Sequence, residues 1–328
     1  MEEPESQPRE RRPGARLLTL GPGAEGVRLD LFLAAELDLS RSQARRLLER
    51  GAVSLDGRPL APGDKGRPLE AQGELRVEAF VAPADQRIPQ PGEAEAPPPV
   101  LAEGPGWLAL AKPPGMPVHP LEEGEKGTLL GHVSALRPEV HGVGEGGLRS
   151  GVVHRLDVET SGVILVATED AQWDRLRGAF REHRVAKRYR ALVEGDVQWP
   201  GDRLELELPL RVARHKPAFV RVASSEEAAR GRSRMIEQTM QKLETLPGAS
   251  LVEIEPRTGF LHQIRASLAH LGHPVLGDLR YGGTRRAGAH RHMLHAAEVA
   301  FEEVRAAAED PDDFGSVLAR LRSAESDV

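Results

Sequence analysis

Residues 151–170 read GVVHRLDVETSGVILVATED. Two apolar runs, Val152-Val153 and residues 163–166, have the β-branched character of buried strands. Between them, HRLDVETSG crowds carboxylate, guanidinium, imidazole and hydroxyl groups into one short connection. A plain strand connection needs little beyond Gly, Asn or Pro. Taken alone, Asp157 reads as a turn residue balanced by Arg155, with Thr160 and Ser161 tying the backbone through their side chains. Glu159, two residues further on, is a candidate second acid.

The rest of the chain supplies a setting for this loop. At 328 residues it is long enough for two domains, and 39% hydrophobic with 29% charged residues fits a globular core. No apolar run approaches a membrane span, and the polar start MEEPESQPRERRPG sets the expectation of no secretory leader. The absence of cysteine removes disulfides, thiol nucleophiles and Cys-based zinc sites, and fits a reducing cytoplasm as the expected location. The net charge of −6 is unevenly placed: residues 298–328 hold nine acids and three bases. Elsewhere the bases concentrate, with seven Lys/Arg against two acids in 173–190, seven against two in 211–234, and six against one in 257–291. A phosphate backbone responds to such local fields more than to the total charge.

Residues 1–15 are expected to form a disordered tail, and 83–99, rich in Pro and acid, a linker between a small unit (16–82) and a body (100–305), with an acidic segment carrying a short helix at 306–328. In the small unit Leu29, Phe32, Leu33 and Leu37 recur at helical spacing. A second helix opens with a Ser40/Gln43 capping box and closes at Gly51. Its buried stripe is Ala44, Leu47 and Leu48, leaving Arg41, Arg45, Arg46 and Arg50 to solvent, and Asp56-Gly57 marks a hairpin turn. The order of helix, SRSQARRLLERG helix and V-x-L-D-G-R-P resembles the RNA-binding module of ribosomal small-subunit protein four. That resemblance implies that Arg41, Arg45 and Arg46 hold structured RNA through shape and phosphate contacts. In the body, WLALAKP, GVVHRL, GVILVAT, YRALVEG, LELELPL, FVRVA and SLVEIEP read as strands, with helices at 172–182, 262–271 and within 313–321. Many strands and few helices predict an α+β fold with a mixed, largely antiparallel sheet, beside the small αβ domain.

Gly142, Gly144 and Gly147 satisfy G-x-G-x-x-G, but no strand precedes them and no helix follows, so a loop is expected. His290, His292 and His295 lack neighbouring carboxylates or thiolates, and no metal is expected there. Neither a P-loop nor a G-x-S-x-G elbow is present.

Three further segments change the reading of Asp157: KRYRALVEG with Tyr189, HQIR with Arg265, and GHPVLGDLRYGG with Tyr281. Together with KPPGMPVHP, HRLDVETSGVILVA, MLHAAEVAF and PDDFGSVLARLR they resemble the RluA-type pseudouridine synthases, the group containing RluC and RluD. The resemblance spans nearly all of 107–301 and implies a pseudouridine synthase fold acting without cofactor or metal. Such enzymes isomerise a uridine already in RNA: N-1 leaves C-1′, the uracil turns, and C-5 bonds to C-1′. Asp157 is then the catalytic aspartate, attacking C-1′ or removing the 2′ proton; Arg265 pairs with it; Tyr189 stacks on the uracil. Arg155 holds the extruded nucleotide and His262 joins the RNA-binding set. Thr258-Gly259-Phe260-Leu261-His262 departs from the family's usual T-G-R-T-H by replacing Arg and Thr with Phe260 and Leu261. The expected partner is large-subunit ribosomal RNA bound by a monomer. The rival readings are a ribosome-assembly factor and a transfer-RNA synthase.

Overall fold

The computed structural model describes residues 16–37, 41–49, 51–78, 89, 92, 96–122, 124–199 and 203–324. The expected tail at 1–15, Ser40, Arg50 and most of the expected linker lie outside them, as do the side chains of Arg41, Gln43 and Arg46. The chain forms two compact units, 1–87 and 88–328.

In the first unit, α1 (Leu29–Glu36) and α2 (Arg41–Glu49) accompany β1 (Arg16–Thr19), β2 (Val53–Leu55), β3 (Arg58–Pro59) and β4 (Glu74–Val77), in sheet order β1-β4-β2-β3. Leu29, Leu33, Ala44, Leu47 and Leu48 bury the helical stripes against Leu75 and Val77. Asp56 and Gly57 both take positive φ, 49° and 76°, as a two-residue turn joining β2 to β3 demands. Arg45 is less free than the helical pattern suggests. Its Nε donates to Oδ2 of Asp30 at 3.1 Å, and Asp30, wholly buried in the first turn of α1, is also held by Arg28. A carboxylate buried there needs cations beside it.

The second unit is built on a ten-stranded sheet. Its strands are β5 (Val100–Gly104), β6 (Trp107–Lys112), β7 (Ser161–Ala167), β8 (Ala186–Glu194), β9 (Arg203–His215), β10 (Ala218–Val222), β11 (Arg234–Leu246), β12 (Ala249–Pro256), β13 (Leu294–Phe301) and β14 (Val304–Ala307). The order is β10-β9-β11-β12-β8-β13-β7-β6-β5, with β14 on β13; only β13–β7 pairs in parallel among the described residues. The fold is thus α+β with a largely antiparallel sheet, as expected. The helices are α3 (Leu129–Leu136), α4 (Asp170–Arg181), α5 (Ser225–Ala229), α6 (Gln263–His270) and α7 (Asp312–Ser323).

Three readings need correction. GVVHRL is not a strand: residues 151–156 run as loop, touching β7 by one bridge, Val152 to Val166. Side chains from α4 occupy the carbonyls that a neighbouring strand would use, Trp173 Nε1 on Val152 O (3.1 Å) and Arg177 Nη1 on Val153 O (3.0 Å). The helix α3 had no periodic signature because LLGHVSAL is buried from Leu129 to Ser134 without an exposed face; Thr128 caps it, accepting the Gly131 N–H at 3.1 Å. Finally, the C-terminal acids are not a separate field. Glu302 and Glu303 pair with Arg175, Asp310 with Arg190 and Asp313 with Arg291, while α7 buries Phe314, Val317, Leu318 and Leu321 in the main core.

Candidate active site

The loop carrying Asp157 is pinned through its own backbone. Thr160 N–H donates to Asp157 O at 3.0 Å, closing a turn. The next carbonyl, Val158 O, accepts from Lys112 Nζ at 2.8 Å and from Gly115 N–H at 3.0 Å. The one after, Glu159 O, accepts from Arg291 Nη1 at 2.9 Å. Lys112 ends β6 with 1% of its surface exposed and also donates to Pro113 O and Met116 O, at 2.8 and 2.9 Å. Burial pulls its pKa down to about 7, yet three carbonyl acceptors match three N–H donors only in the ammonium form, which is therefore the form this loop is built around. Arg291 reaches the loop from the other side while its Nε and Nη2 grip Asp313 at 2.6 and 2.9 Å.

Thr160 and Ser161 tie the loop to the region of β13 rather than to their own backbone: Thr160 Oγ1 meets His292 Nε2 at 2.8 Å and Ser161 Oγ meets His295 Nδ1 at 3.0 Å. Gly162 then turns into β7 at φ 117°, where a Cβ would stand 2.1 Å from Ala296 O; no other residue fits. His292 and His295 are thereby committed to the loop. His290 is exposed, with Nε2 3.6 Å from Asp313.

Arg265, in the first turn of α6, completes the arrangement. Its Nη1 donates to Asp157 Oδ2 at 2.9 Å, and its Nε and Nη2 donate to Asp278 Oδ2 and Oδ1 at 2.6 and 2.9 Å. The guanidinium also lies over the Tyr281 ring, 5.1 Å from its centroid. Arg265 and Asp278 are only 5% and 3% exposed, so the fork is fixed in one orientation. Burial works to raise the Asp157 pKa, but the net movement is downward, because the Arg265 guanidinium bonded to it favours the carboxylate. Burial likewise opposes the charge on Arg265, and Asp278 and Asp157 more than restore it.

Asp157 opens into a groove of about 730 Å³ lined also by Arg155, Tyr189, His262 and Arg265, so the sequence-predicted site residues of this unit meet in one place. Arg149, Arg177, Lys187 and Arg234 add positive charge, against Glu145 and Asp157. Arg155 is exposed and forms no pair with Asp157, whose partner is Arg265. Tyr189 sits half-buried on β8; burial first, and then the Asp157 charge, push its pKa up, so it is a neutral phenol. Glu159 is exposed and does not line the groove. Phe260 and Leu261 line it, and pack against Val220 and Ile236 in an apolar cluster. Arg45 belongs to the other unit and is engaged by Asp30. Sequence reasoning missed Asp278, Lys112 and Arg291, and singled out Tyr281 without giving it a role. For Asp278 there was a signal, since it is the single acid among six bases in 257–291.

Three histidines around the site stay neutral. His154, whose Nε2 accepts the Leu165 N–H at 2.9 Å and whose ring stacks on Phe180, is depressed by burial to about 3, His292 to about 3 and His119 to about 4, from an ordinary value of 6.5. Their folded pKa values lie below the unfolded one, so the unfolded chain binds more protons across pH 6.5 down to about 3. Stability is therefore expected to be complete above pH 6.5 and to fall steadily beneath it. Denaturant midpoints between pH 8 and 4 check this; a flat profile from 6.5 to 4.5 would show that the rings charge in place.

Residues 106–270 match the RNA pseudouridylate synthase family and residues 27–65 match the S4 domain. The chain belongs to the RNA pseudouridylate synthase family. It is an isomerase with an RNA-binding domain ahead of its catalytic body. It is 34% identical to an uncharacterized RNA pseudouridine synthase of Mycobacterium bovis over 87% of this chain and 89% of that one. It is 32% identical to the ribosomal large subunit pseudouridine synthase D of Zymomonas mobilis, over 87% and 88% of the two chains. The ribosomal large subunit pseudouridine synthase C of Escherichia coli is 30% identical, over 88% and 89%. The solved structure of human RNA pseudouridylate synthase domain containing 1 superposes with a TM-score of 0.54 at 26% identity, covering 71% of this chain and 91% of that one. No helix among the described residues is long and apolar enough to cross a membrane.

Proposed function

We propose that the enzyme converts specific uridines of large-subunit ribosomal RNA to pseudouridine, with Asp157 as its catalytic carboxylate. The observation that carries this reading is the Asp157–Arg265 pair, buried on the Arg265 side and open to a basic groove on the other. The RNA backbone follows the cationic wall, and the target uridine leaves the stack to reach Asp157. Arg155, exposed beside the carboxylate, holds that nucleotide out. Tyr189, a neutral phenol, offers its face to the uracil. Asp157 attacks C-1′ and is displaced when C-5 bonds there, or takes the 2′ proton and returns it after C-5 has bonded; by either route N-1 departs with the bonding pair, the base turns, and the proton C-5 loses is matched by the one N-1 gains. Enclosure between β8, the loop and α6 keeps water from the exposed C-1′, which hydrolysis would turn into an abasic site.

Residues 16–82 act as the RNA-binding domain, through Arg41, Arg45 and Arg46, joined by a linker at 83–99 to the catalytic domain at 100–305. The choice of ribosomal RNA is supported by the S4 domain match and by relatives named as ribosomal large subunit synthases. The protein acts as a cytoplasmic monomer. Tritium release from RNA labelled at uridine C-5, with ribosomal and transfer RNA in parallel, tests the reading, and mapping pseudouridines after gene deletion locates the targets. Release from large-subunit RNA is expected. Binding without release would favour an assembly factor, and release from transfer RNA alone would move the substrate assignment.

A further inference from the structure

His262 stands in a left-handed backbone conformation, φ 51° and ψ 23°, at the N-terminus of α6, and its side chain does not cap that helix. Such a conformation is uncommon in a non-glycine residue and persists where the surroundings hold it. The His262 side chain is held by Tyr281. The phenolic oxygen accepts the Val220 N–H at 2.9 Å and lies 2.9 Å from His262 Nδ1. Having accepted one hydrogen, the buried hydroxyl still has its own to place, and Nδ1 is the acceptor within reach among the described residues. Nδ1 therefore carries the lone pair and the ring hydrogen sits on Nε2. Burial lowers the pKa of His262, which keeps this neutral form.

Nε2 lines the groove 3.9 Å from Asp157 Oδ2, too far for a direct hydrogen bond. One oxygen atom between them can lie about 2.8 Å from each. An oxygen there that accepts from Nε2–H and donates to a carboxylate is a hydroxyl or a water, not a carbonyl or phosphate oxygen, and a substrate hydroxyl would take the water's place. If Asp157 faces C-1′, the hydroxyl one carbon away is the ribose 2′-OH. We propose that His262 and Asp157 together clasp the 2′-hydroxyl of the target nucleotide, with Tyr281 as the positioning residue that sets the His262 tautomer. The proposal rests on the functional reading above. It makes the site a reader of ribose against deoxyribose, since the 2′-OH is what separates the two.

The test pairs a spectrum with a discrimination ratio. In the full-length protein, two-bond ¹H–¹⁵N correlation of the His262 ring should report neutral Nε2–H, and Tyr281→Phe, which keeps the ring over Arg265, should mix the tautomers. On a short RNA bearing a mapped target, kcat/KM of His262→Leu should fall roughly 10²-fold, the scale of one lost donor at a reacting centre. Its preference for uridine over 2′-deoxyuridine at that position should shrink by a similar factor. Tyr281→Phe should cost about fivefold, the worth of one neutral hydrogen bond. His262→Gln, which returns an N–H near the Nε2 position, should recover most of the preference. An Nδ1–H ring in the wild type, or an undiminished preference in folded His262→Leu, would overturn the proposal. The ring spectrum needs no substrate, so a wild type that isomerises nothing defeats the functional reading while leaving the tautomer assignment to be judged separately.

Discussion

Asp157→Asn is expected to lower pseudouridine formation by on the order of 10⁴-fold or more, the scale seen when an essential reacting group is removed. The substitution keeps the shape of the side chain and one oxygen that can accept from Arg265 Nη1, but it removes the charge. An amide is neither a competent nucleophile toward C-1′ nor a base for the 2′ proton, so the loss is the same by either route. Binding should change little, because affinity for RNA comes from cations on phosphates, and Arg149, Arg177, Lys187 and Arg234 along the groove are untouched. The fold should also hold: Arg265 keeps its two bonds to Asp278, so no buried cation is left unpaired. Tritium release and a gel-shift titration on the same RNA check both halves. Turnover within tenfold of the wild type would end the assignment of Asp157. Loss of binding together with turnover would instead make it a docking residue.

How far the sequence foretold this arrangement depends on the range of the interactions. The loop around Asp157 was legible because its chemistry is local, polar groups between two apolar runs. The hairpin at Asp56-Gly57 and the helical stripes of α1 and α2 were legible for the same reason. Arg265 is 108 residues from Asp157, and no periodicity reports such a pair; it came from the resemblance of HQIR to a family motif. Lys112 and Arg291 make their contacts only in the completed fold and read as ordinary in their own segments; Asp278 stood out only as a lone acid among bases, and Tyr281 only as one of two tyrosines. GVVHRL misled because β-branched composition says nothing about Trp173 and Arg177 claiming its carbonyls. The charge census misled in a similar way. It separated acids at the C-terminus from bases at 173–190, which the sheet brings together as Glu302 and Glu303 against Arg175, and Asp310 against Arg190.

Arg265→Leu is expected to do more than remove a partner, because the guanidinium separates two carboxylates. Without it Asp157 and Asp278 face one another across a buried site with no cation between them. Burial, which in the native protein is outweighed, then acts together with like-charge repulsion to raise the Asp157 pKa. The sign is definite. In the wild type the carboxylate is held below its ordinary value and is ionised throughout neutral pH, so the rate should not depend on its protonation there. In the variant the acid limb of the pH–rate profile should climb toward neutrality, leaving roughly 10²- to 10³-fold less activity at pH 7, partly regained at pH 9. Leaving Asp278 unpaired should also cost roughly 3 kcal/mol of stability, the scale of a broken buried pair. Two companions keep chemistry and folding apart. Arg265→Lys retains the charge but not the fork, so it should restore the acid limb more than the rate. Asp278→Asn keeps Arg265 on Asp157 and should fold nearly as well, while losing activity because the guanidinium is no longer aimed by two bonds. The profile is measured by single-turnover tritium release from pH 5 to 9 on folded protein. An acid limb that stays in place in Arg265→Leu would show that something other than this guanidinium keeps Asp157 charged.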